Sequence, residues 1–354
     1  MRVLVAMSGG VDSSVAAALL RDQGHEVVGV TLKLWGGDSD SGCCSVSDVD
    51  DARRVADQLG LDHHVFNFGH DFDAHVIDPY VADHAAGRTP NPCVECNRHL
   101  KFDRLLARAN AVGFHVVATG HHARVGQRAD GTLCVARGAD TAKDQSYVLH
   151  MLGQAQLRRV MFPVGEMTKA QVRATAARLG LRTAGKPESQ DVCFITSGEG
   201  RRRFLDPRLT FTPARVVDGS GAEVGRVGAV ELVTIGQRKG LGVSGGGTPR
   251  YAVSADPATA TIVVGGVDDL LVSSQPVTGV TWADRPVTGD VIVQCSAHGR
   301  PARATLIVAG REPGAETVTV SWHQPHRRIA PGQSMVFYEG DQVVGGGSAG
   351  SVAP

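Results

Sequence analysis

Apolar residues follow two rhythms along this chain, and the rhythm changes once. Through the first 200 residues, short apolar runs alternate with stretches spaced by three and four. Residues 2–7 (RVLVAM) read as a buried strand. Residues 13–23 follow, with Val15, Ala18 and Leu19 on one helical face and Gly24 as a stop. Residues 27–32 form the next strand. Residues 48–59 place Val49, Ala52, Val55, Ala56 and Leu59 at helical spacing ahead of Gly60. Strands are predicted at 64–68 and 115–119, and helices at 101–110 (through Phe102, Leu105, Leu106 and Ala109) and 169–179. Strands that alternate with helices predict an α/β, doubly wound parallel sheet.

Near residue 205 the pattern turns into short Val/Thr/Ile runs punctuated by Gly, Asp and Pro. Examples are 261–264, 291–294, 304–308, 317–322 and 334–338. Such spacing predicts an all-β region of barrel or sandwich type. The expected organisation is a sheet domain over 1–204, a small, mostly β central domain over 205–272, and a C-terminal β-barrel over 273–354. The glycine-rich tail from Gly345 is expected to fray.

Composition narrows the class. The chain has 354 residues, too many for one ordinary core, and 42% hydrophobic with 20% charged residues suits a folded globular protein. No apolar run reaches the length of a membrane span, and the start lacks the basic and apolar regions of a signal peptide, so a cytoplasmic location without a membrane partner is expected. Formal net charge is zero. A nucleic-acid partner would therefore need a local basic patch, for which Arg201-Arg202-Arg203, Arg238-Lys239 and Arg327-Arg328 are candidates and could equally be solvated faces. Seven cysteines, an odd number at irregular spacing, argue against a disulfide framework and for catalytic or metal-binding thiols.

The most informative segment is Ser8-Gly9-Gly10-Val11-Asp12-Ser13-Ser14, between the first strand and the first helix. Its glycines let backbone approach a ligand, the helix start offers N–H groups and a positive dipole end, and Ser8, Ser13 and Ser14 add hydroxyls. Asp12 could hold Mg²⁺. A plain glycine turn with a serine cap is the bland alternative. The loop has no lysine of the Walker type, so γ-phosphate hydrolysis is not its natural chemistry. It resembles the loop of the PP-loop ATP pyrophosphatases, which adenylate a substrate and release pyrophosphate.

Two further segments carry thiols. In Arg88-Thr89-Pro90-Asn91-Pro92-Cys93-Val94-Glu95-Cys96-Asn97 a stiff loop precedes the helix expected at 101–110, and a thiol near a helix start is more nucleophilic. Half a zinc site or inert core thiols are the alternatives, and no second C-x-x-C or H-x₃₋₅-H appears. In Ser189-Gln190-Asp191-Val192-Cys193-Phe194-Ile195 a cysteine sits in an apolar run, which taken alone suggests packing. Beside an adenylating site, two thiols from distant segments suit sulfur insertion.

Taken together, AMSGGVDSSV (6–15), GCCS (42–45), GRTPNPCVECN (87–97), ATGHHAR (118–124), KDQSYVL (143–149), DVCFI (191–195), TIGQRKGL (234–241) and PGQSMVFY (331–338) make the whole chain resemble the tRNA-specific 2-thiouridylases. The resemblance implies ATP-dependent 2-thiolation of the wobble uridine (U34) of tRNAs for Lys, Glu and Gln, yielding AMP and pyrophosphate. It implies that Ala6, Met7, Ser8, Gly9, Gly10, Val11, Asp12 and Ser13 cradle ATP, with Leu32 and Gly120 on the adenosine side. It makes Cys96 the nucleophile and Cys193 the persulfide carrier, ending as a disulfide. Asn91, Pro92 and Cys93 would face the target base, and His121, Lys143, Asp144, Gln145 and Gln333 would contact tRNA. Alone, His121 would read as a satisfied core histidine. A cysteine desulfurase or sulfur-relay protein would be the persulfide donor.

Three positions depart from the family pattern. Cys93 stands where some relatives have an Asp, so Cys93, Cys96 and Cys193 could instead hold an iron–sulfur cluster with an open position. The redox-pair reading is favoured over that cluster. Cys295-Ser296 stands near an Arg-Tyr pair of some relatives, so no tRNA contact is expected there. His122 replaces a frequent Tyr, a change expected to be minor.

Overall fold

A computed structural model describes residues 1–34, 46–188, 192–195, 200–243, 248–309 and 317–352. Cys43 and Cys44 lie outside the described residues, as do Ser189, Gln190 and Asp191.

The sheet domain is built on β1 (Arg2–Ala6), β2 (Glu26–Lys33), β3 (Asp62–Asn67), β4 (Val116–Thr119) and, after an antiparallel hairpin of β5 (Ala123–Gln127) and β6 (Leu133–Arg137), β7 (Val160–Met161). The five sheet strands run parallel in the order β3-β2-β1-β4-β7. The chain therefore leaves β1 in one direction for β2 and β3, then returns to its other side for β4. That reversal opens a crevice at the C-terminal ends of β1 and β4, where open α/β sheets bind ligands. Successive residues of β1 serve opposite faces, as strand alternation requires. Leu4 joins one apolar cluster with Leu32, Phe72, Cys96, Leu100 and Phe102, while Val3 and Val5 join another with Val15, Ala18, Val55 and Val172.

Helices α1 (Val11–Asp22) and α2 (Val46–Leu59) match the expected periodicity, as does the Lys169–Arg178 helix. The helix expected at 101–110 starts earlier. It opens at Pro92–Glu95, passes through a π-wound stretch at Cys96–Arg104 and ends as Leu105–Ala111. The C-x-x-C therefore lies in its first turns rather than ahead of it. Proline at the first helical position, with Asn91 capping it, is the local reason.

Beyond 205, β8 (Ala214–Val217), β9 (Glu223–Val227), β10 (Tyr251–Asp256) and β11 (Thr261–Gly265) form a small sheet with its own apolar cluster. The C-terminal strands are β12 (Leu271–Trp282), β13 (Gly289–Gln294), β14 (Ala302–Ala309), β15 (Thr317–Arg327), β16 (Ser334–Glu339) and β17 (Gln342–Ala349). They run in the order β12-β15-β14-β13-β16-β17, and β12 pairs with β17 to close a barrel. The sheet, the small β domain and the barrel expected from the sequence are all present.

The tail corrects one expectation. Residues Gly345–Ala349 do not fray: they belong to β17, which is largely buried and pairs with both β12 and β16. Its glycines serve close approach. A Cβ on Gly346 would sit 2.6 Å from the His150 ring, and one on Gly345 2.6 Å from the Trp282 ring. Among the described residues, no helix is long and apolar enough to cross a membrane.

Candidate functional site

The loop after β1 enters the crevice beside β4. Gly9 has φ of 72° and packs on the backbone of Asp48, so both its conformation and its lack of a side chain are required. Gly10 caps α1, and its carbonyl accepts from Ser13 Oγ (3.1 Å) and Ser14 Oγ (2.8 Å). Ser13 Oγ also accepts from the Ser8 N–H at 3.2 Å. These local bonds curl the loop around the N-terminus of α1, whose first N–H groups have no partner within the helix. Gly120, just after β4, presses on this turn: a Cβ there would lie 2.5 Å from the Ser13 nitrogen. Met7 and Leu32 are buried, and Thr31 Oγ1 ties the two strands by donating to the Met7 carbonyl at 2.7 Å. The loop and Gly120, read separately from the sequence, thus meet.

Asp12 is not placed as a metal ligand. Its Oδ1 accepts from His122 Nε2 at 3.0 Å and from Lys169 Nζ at 2.9 Å, and its Oδ2 accepts from Lys169 Nζ at 2.7 Å. Burial alone would raise its pKa, but the bonds from His122 and Lys169 prevail and lower it. Both carboxylate oxygens are thus engaged by cationic or N–H donors, so the residues present do not fit a resident Mg²⁺ at Asp12. His122 thus reaches the loop, and Gln145 braces it through bonds in both directions, each 2.9 Å. Lys169 was not foreseen. Its capping box with Thr168 and Gln171 is visible locally, but a partner 157 residues upstream is not.

The first cysteine segment docks between domains. Asn91 accepts from the Cys93 N–H at 3.2 Å, Pro92 is buried, and Asn97 donates to the Val148 carbonyl at 3.0 Å. From the barrel, the Pro331 carbonyl accepts from the Thr89 N–H at 2.7 Å and the Ser334 carbonyl from the Tyr147 hydroxyl at 2.9 Å. Gln333, between those two carbonyls, is thereby brought to the edge of the 88–93 loop. Cys96 is buried in the apolar cluster under β1 and β2, and Cys193 packs against that same cluster from the second segment. Phe194 anchors this second segment, with ring centroids 5.8 Å from Phe72, 5.4 Å from Tyr80 and 4.8 Å from Phe204.

Among the described residues, no three His, Cys, Asp or Glu side chains gather as a metal would need. Cys93, Cys96 and Cys193 are all described, so this arrangement does not fit an iron–sulfur cluster.

The residues expected at tRNA divide into two kinds. Lys143 and Gln145 reach the surface, Lys143 bonding Glu188 at 2.7 Å. His121 and Asp144 face inward. His121 packs against Phe102 and Phe162 and bonds Thr119 at 2.6 Å, and burial lowers its pKa well below the usual histidine value. Asp144 accepts from Arg137 at 2.8 Å, Ser146 Oγ at 2.8 Å and the Gly138 N–H at 3.0 Å. Of the basic candidates, Arg328 also turns inward, to the carbonyls of Val253 and Val352.

Three family models match in sequence order: the tRNA methyl transferase HUP domain over residues 1–197, the tRNA methyl transferase PRC-barrel domain over 202–266 and the aminomethyltransferase beta-barrel domain over 276–349. A tRNA-specific 2-thiouridylase MnmA of Chloroflexus aurantiacus is 46% identical over 353 residues, covering 98% of this chain and 97% of that protein. One of Mycobacteroides abscessus is 48% identical, with 98% of each chain covered. One of Roseiflexus sp. is 45% identical, again with 98% of each covered. With a glycine- and serine-rich loop at the switch point and two cysteine segments on one apolar cluster, this likeness over nearly the full length means that the chain belongs to the tRNA-specific 2-thiouridylase family.

Proposed function

We propose that this chain replaces the C2 oxygen of the wobble uridine (U34) in tRNA with sulfur, using ATP. The observation that carries the reading is that Cys96 and Cys193, far apart in sequence, share one apolar cluster on the sheet whose switch point holds the 8–13 loop. ATP lies over Ala6–Ser13, with Leu32 and Gly120 toward the adenosine. Uridine O2 attacks the α-phosphorus and pyrophosphate leaves, so C2 now bears AMP as a leaving group. The terminal sulfur of a Cys193 persulfide, loaded by a cysteine desulfurase or relay protein, passes to C2. It does so directly, Cys96 then attacking Cys193 Sγ to break the bond to the transferred sulfur, or as hydrosulfide released by that same attack before it reaches C2. AMP departs, a Cys96–Cys193 disulfide forms, and an external dithiol returns two electrons to reset it. No step runs through Mg²⁺ or a cluster.

Asn91, Pro92 and Cys93 would receive the flipped base. Lys143, Gln145 and Gln333 would touch tRNA directly, while His121 and Asp144 shape that surface from beneath. The substrates expected are tRNAs for Lys, Glu and Gln, in the cytoplasm. Purified protein supplied with ATP, a persulfide donor and unmodified tRNA should yield 2-thiouridine by mass spectrometry of nucleosides. Pyrophosphate release without sulfur incorporation would assign another PP-loop reaction.

A further inference from the structure

The 8–13 loop lacks a lysine, yet an ammonium stands at it. Lys169, at the start of a helix contributed from far downstream, places Nζ 2.7 and 2.9 Å from the two oxygens of Asp12, in the first turn of α1. Its side chain is only 13% exposed, and its backbone N–H is pinned by Asp140 at 2.9 Å. A half-buried lysine held on both carboxylate oxygens of one residue has lost most of its freedom to swing away. Its other partner differs in kind. Glu188 Oε1 lies 3.5 Å from Lys169 Nζ, Glu188 Oε2 lies 2.7 Å from Lys143 Nζ, and the Glu188 side chain is 41% exposed. A carboxylate that open to water can leave with little desolvation cost, whereas Asp12 cannot.

We propose that Lys169 is the phosphate-binding cation of this site, that Asp12 positions it, and that Glu188 is a place-holding anion which the nucleotide's phosphates displace. This rests on the ATP reading above. In function Lys169 replaces a Walker-type lysine, supplied from a distant helix instead of from the loop itself. Asp12 then acts through Lys169 rather than through a metal. The two roles of the loop separate accordingly: its N–H groups and serine hydroxyls cradle phosphate oxygens, and Lys169 neutralises charge as pyrophosphate departs. His122, donating to Asp12 from the other side, keeps that carboxylate ionised and aimed.

The experiment measures equilibrium binding of α,β-methylene-ATP in the presence of tRNA, together with tRNA-dependent pyrophosphate release from ATP. It compares wild type with Lys169→Met, Lys169→Arg and Glu188→Gln. Lys169→Met should weaken analogue binding roughly 10- to 100-fold, the worth of a charge-assisted hydrogen bond, and should slow pyrophosphate release in parallel. Lys169→Arg should recover much of both. Glu188→Gln should bind the analogue at least as tightly as wild type, because the competing anion has lost its charge. Lys169→Met binding within about twofold of wild type would overturn the proposal. So would a Glu188→Gln variant that loses affinity, because that marks the network as a structural brace. If Lys169→Met does not fold, as judged by circular dichroism, Glu188→Gln decides. Failure of wild type to bind the analogue would instead remove the nucleotide reading, and Lys169 with it.

Discussion

The 8–14 loop and the two cysteine segments are built on opposite principles. The loop is a local object: Ser8, Gly10, Ser13 and Ser14 bond one another within five residues, on one strand end and one helix start. The cysteine site is an assembly. Cys96 comes from the turns after Asn91, Cys193 from a segment anchored by Phe194, and the barrel meets the 88–93 loop through Pro331 and Tyr147 through Ser334. A local object survives in sequence as a motif. An assembly survives only as scattered residues whose meaning depends on the fold that collects them.

The sharpest way to break this contrast is to disable one half alone. Cys193→Ser should abolish thiolation entirely yet leave adenylation of tRNA intact, read as labelled AMP trapped on tRNA. Loss of adenylation in a folded, tRNA-binding variant would mean that the two halves are one unit. The converse change, Asp12→Ala, should lower tRNA-dependent pyrophosphate release by about 10²- to 10³-fold, the usual cost of removing an electrostatic element from a transition state. Wild-type turnover in that variant would sink both the nucleotide site and its lysine.

The assembled half should also be the acid-sensitive half. His150, beneath β17, and His84, against the Glu231 carbonyl, are kept uncharged by burial, which lowers each pKa to about 4. Above pH 6.5 both are neutral whether folded or unfolded, and they contribute no pH dependence. Below 6.5 the unfolded chain takes up protons that the folded chain refuses, so stability falls as pH drops from 6.5 toward 4. Each histidine contributes at most about 3 kcal/mol of that loss. Denaturant midpoints measured across this window should decline, and His150→Leu should flatten the slope even if it lowers the plateau. An unchanged slope would show that His150 is solvated in the working molecule. A smaller effect is expected at the seam itself. Gly346→Ala drives a methyl toward the His150 ring and should cost about 1–3 kcal/mol of stability. An unaltered melting curve would mean that the seam has slack.

Legibility in the sequence follows the same division. The first parallel strands, α1, α2 and the barrel runs carry apolar periodicities that local pattern reveals. The helical region of Phe72, Val76, Ile77 and Tyr80 does not stand out in the sequence because its turns are broken by a π-wound stretch at Asp73–Ile77 and interleaved with Asp and His. The long strand β12 is interrupted by Pro276 and Gly279, and β17 looks like a flexible tail because its glycines report neighbours, not turns. At the site, the loop and both cysteine segments were readable from sequence and family resemblance. Lys169 and Glu188 were not, because an ion pair between distant segments leaves no spacing to detect. The partners of Asp12, Lys169 and His122, are hidden from local spacing for the same reason.

The hairpin of β5 and β6 belongs to the sheet domain by sequence but to the barrel by bonding. Ala136 pairs with Gln342, the Arg137 N–H reaches the Asp341 carbonyl, Arg128 pairs with Glu339, and Gln154 ties Leu133 to Ala283. A barrel stitched in this way is not a portable module. Excising residues 1–204 would strip the hairpin of its neighbour and leave an open strand edge available to other chains. Grafting the barrel elsewhere would uncover the matching side of β17. The hairpin makes the domains inheritable only as a set, so recombination between relatives should be tolerated where hairpin and barrel come from one parent and penalised where they come from two.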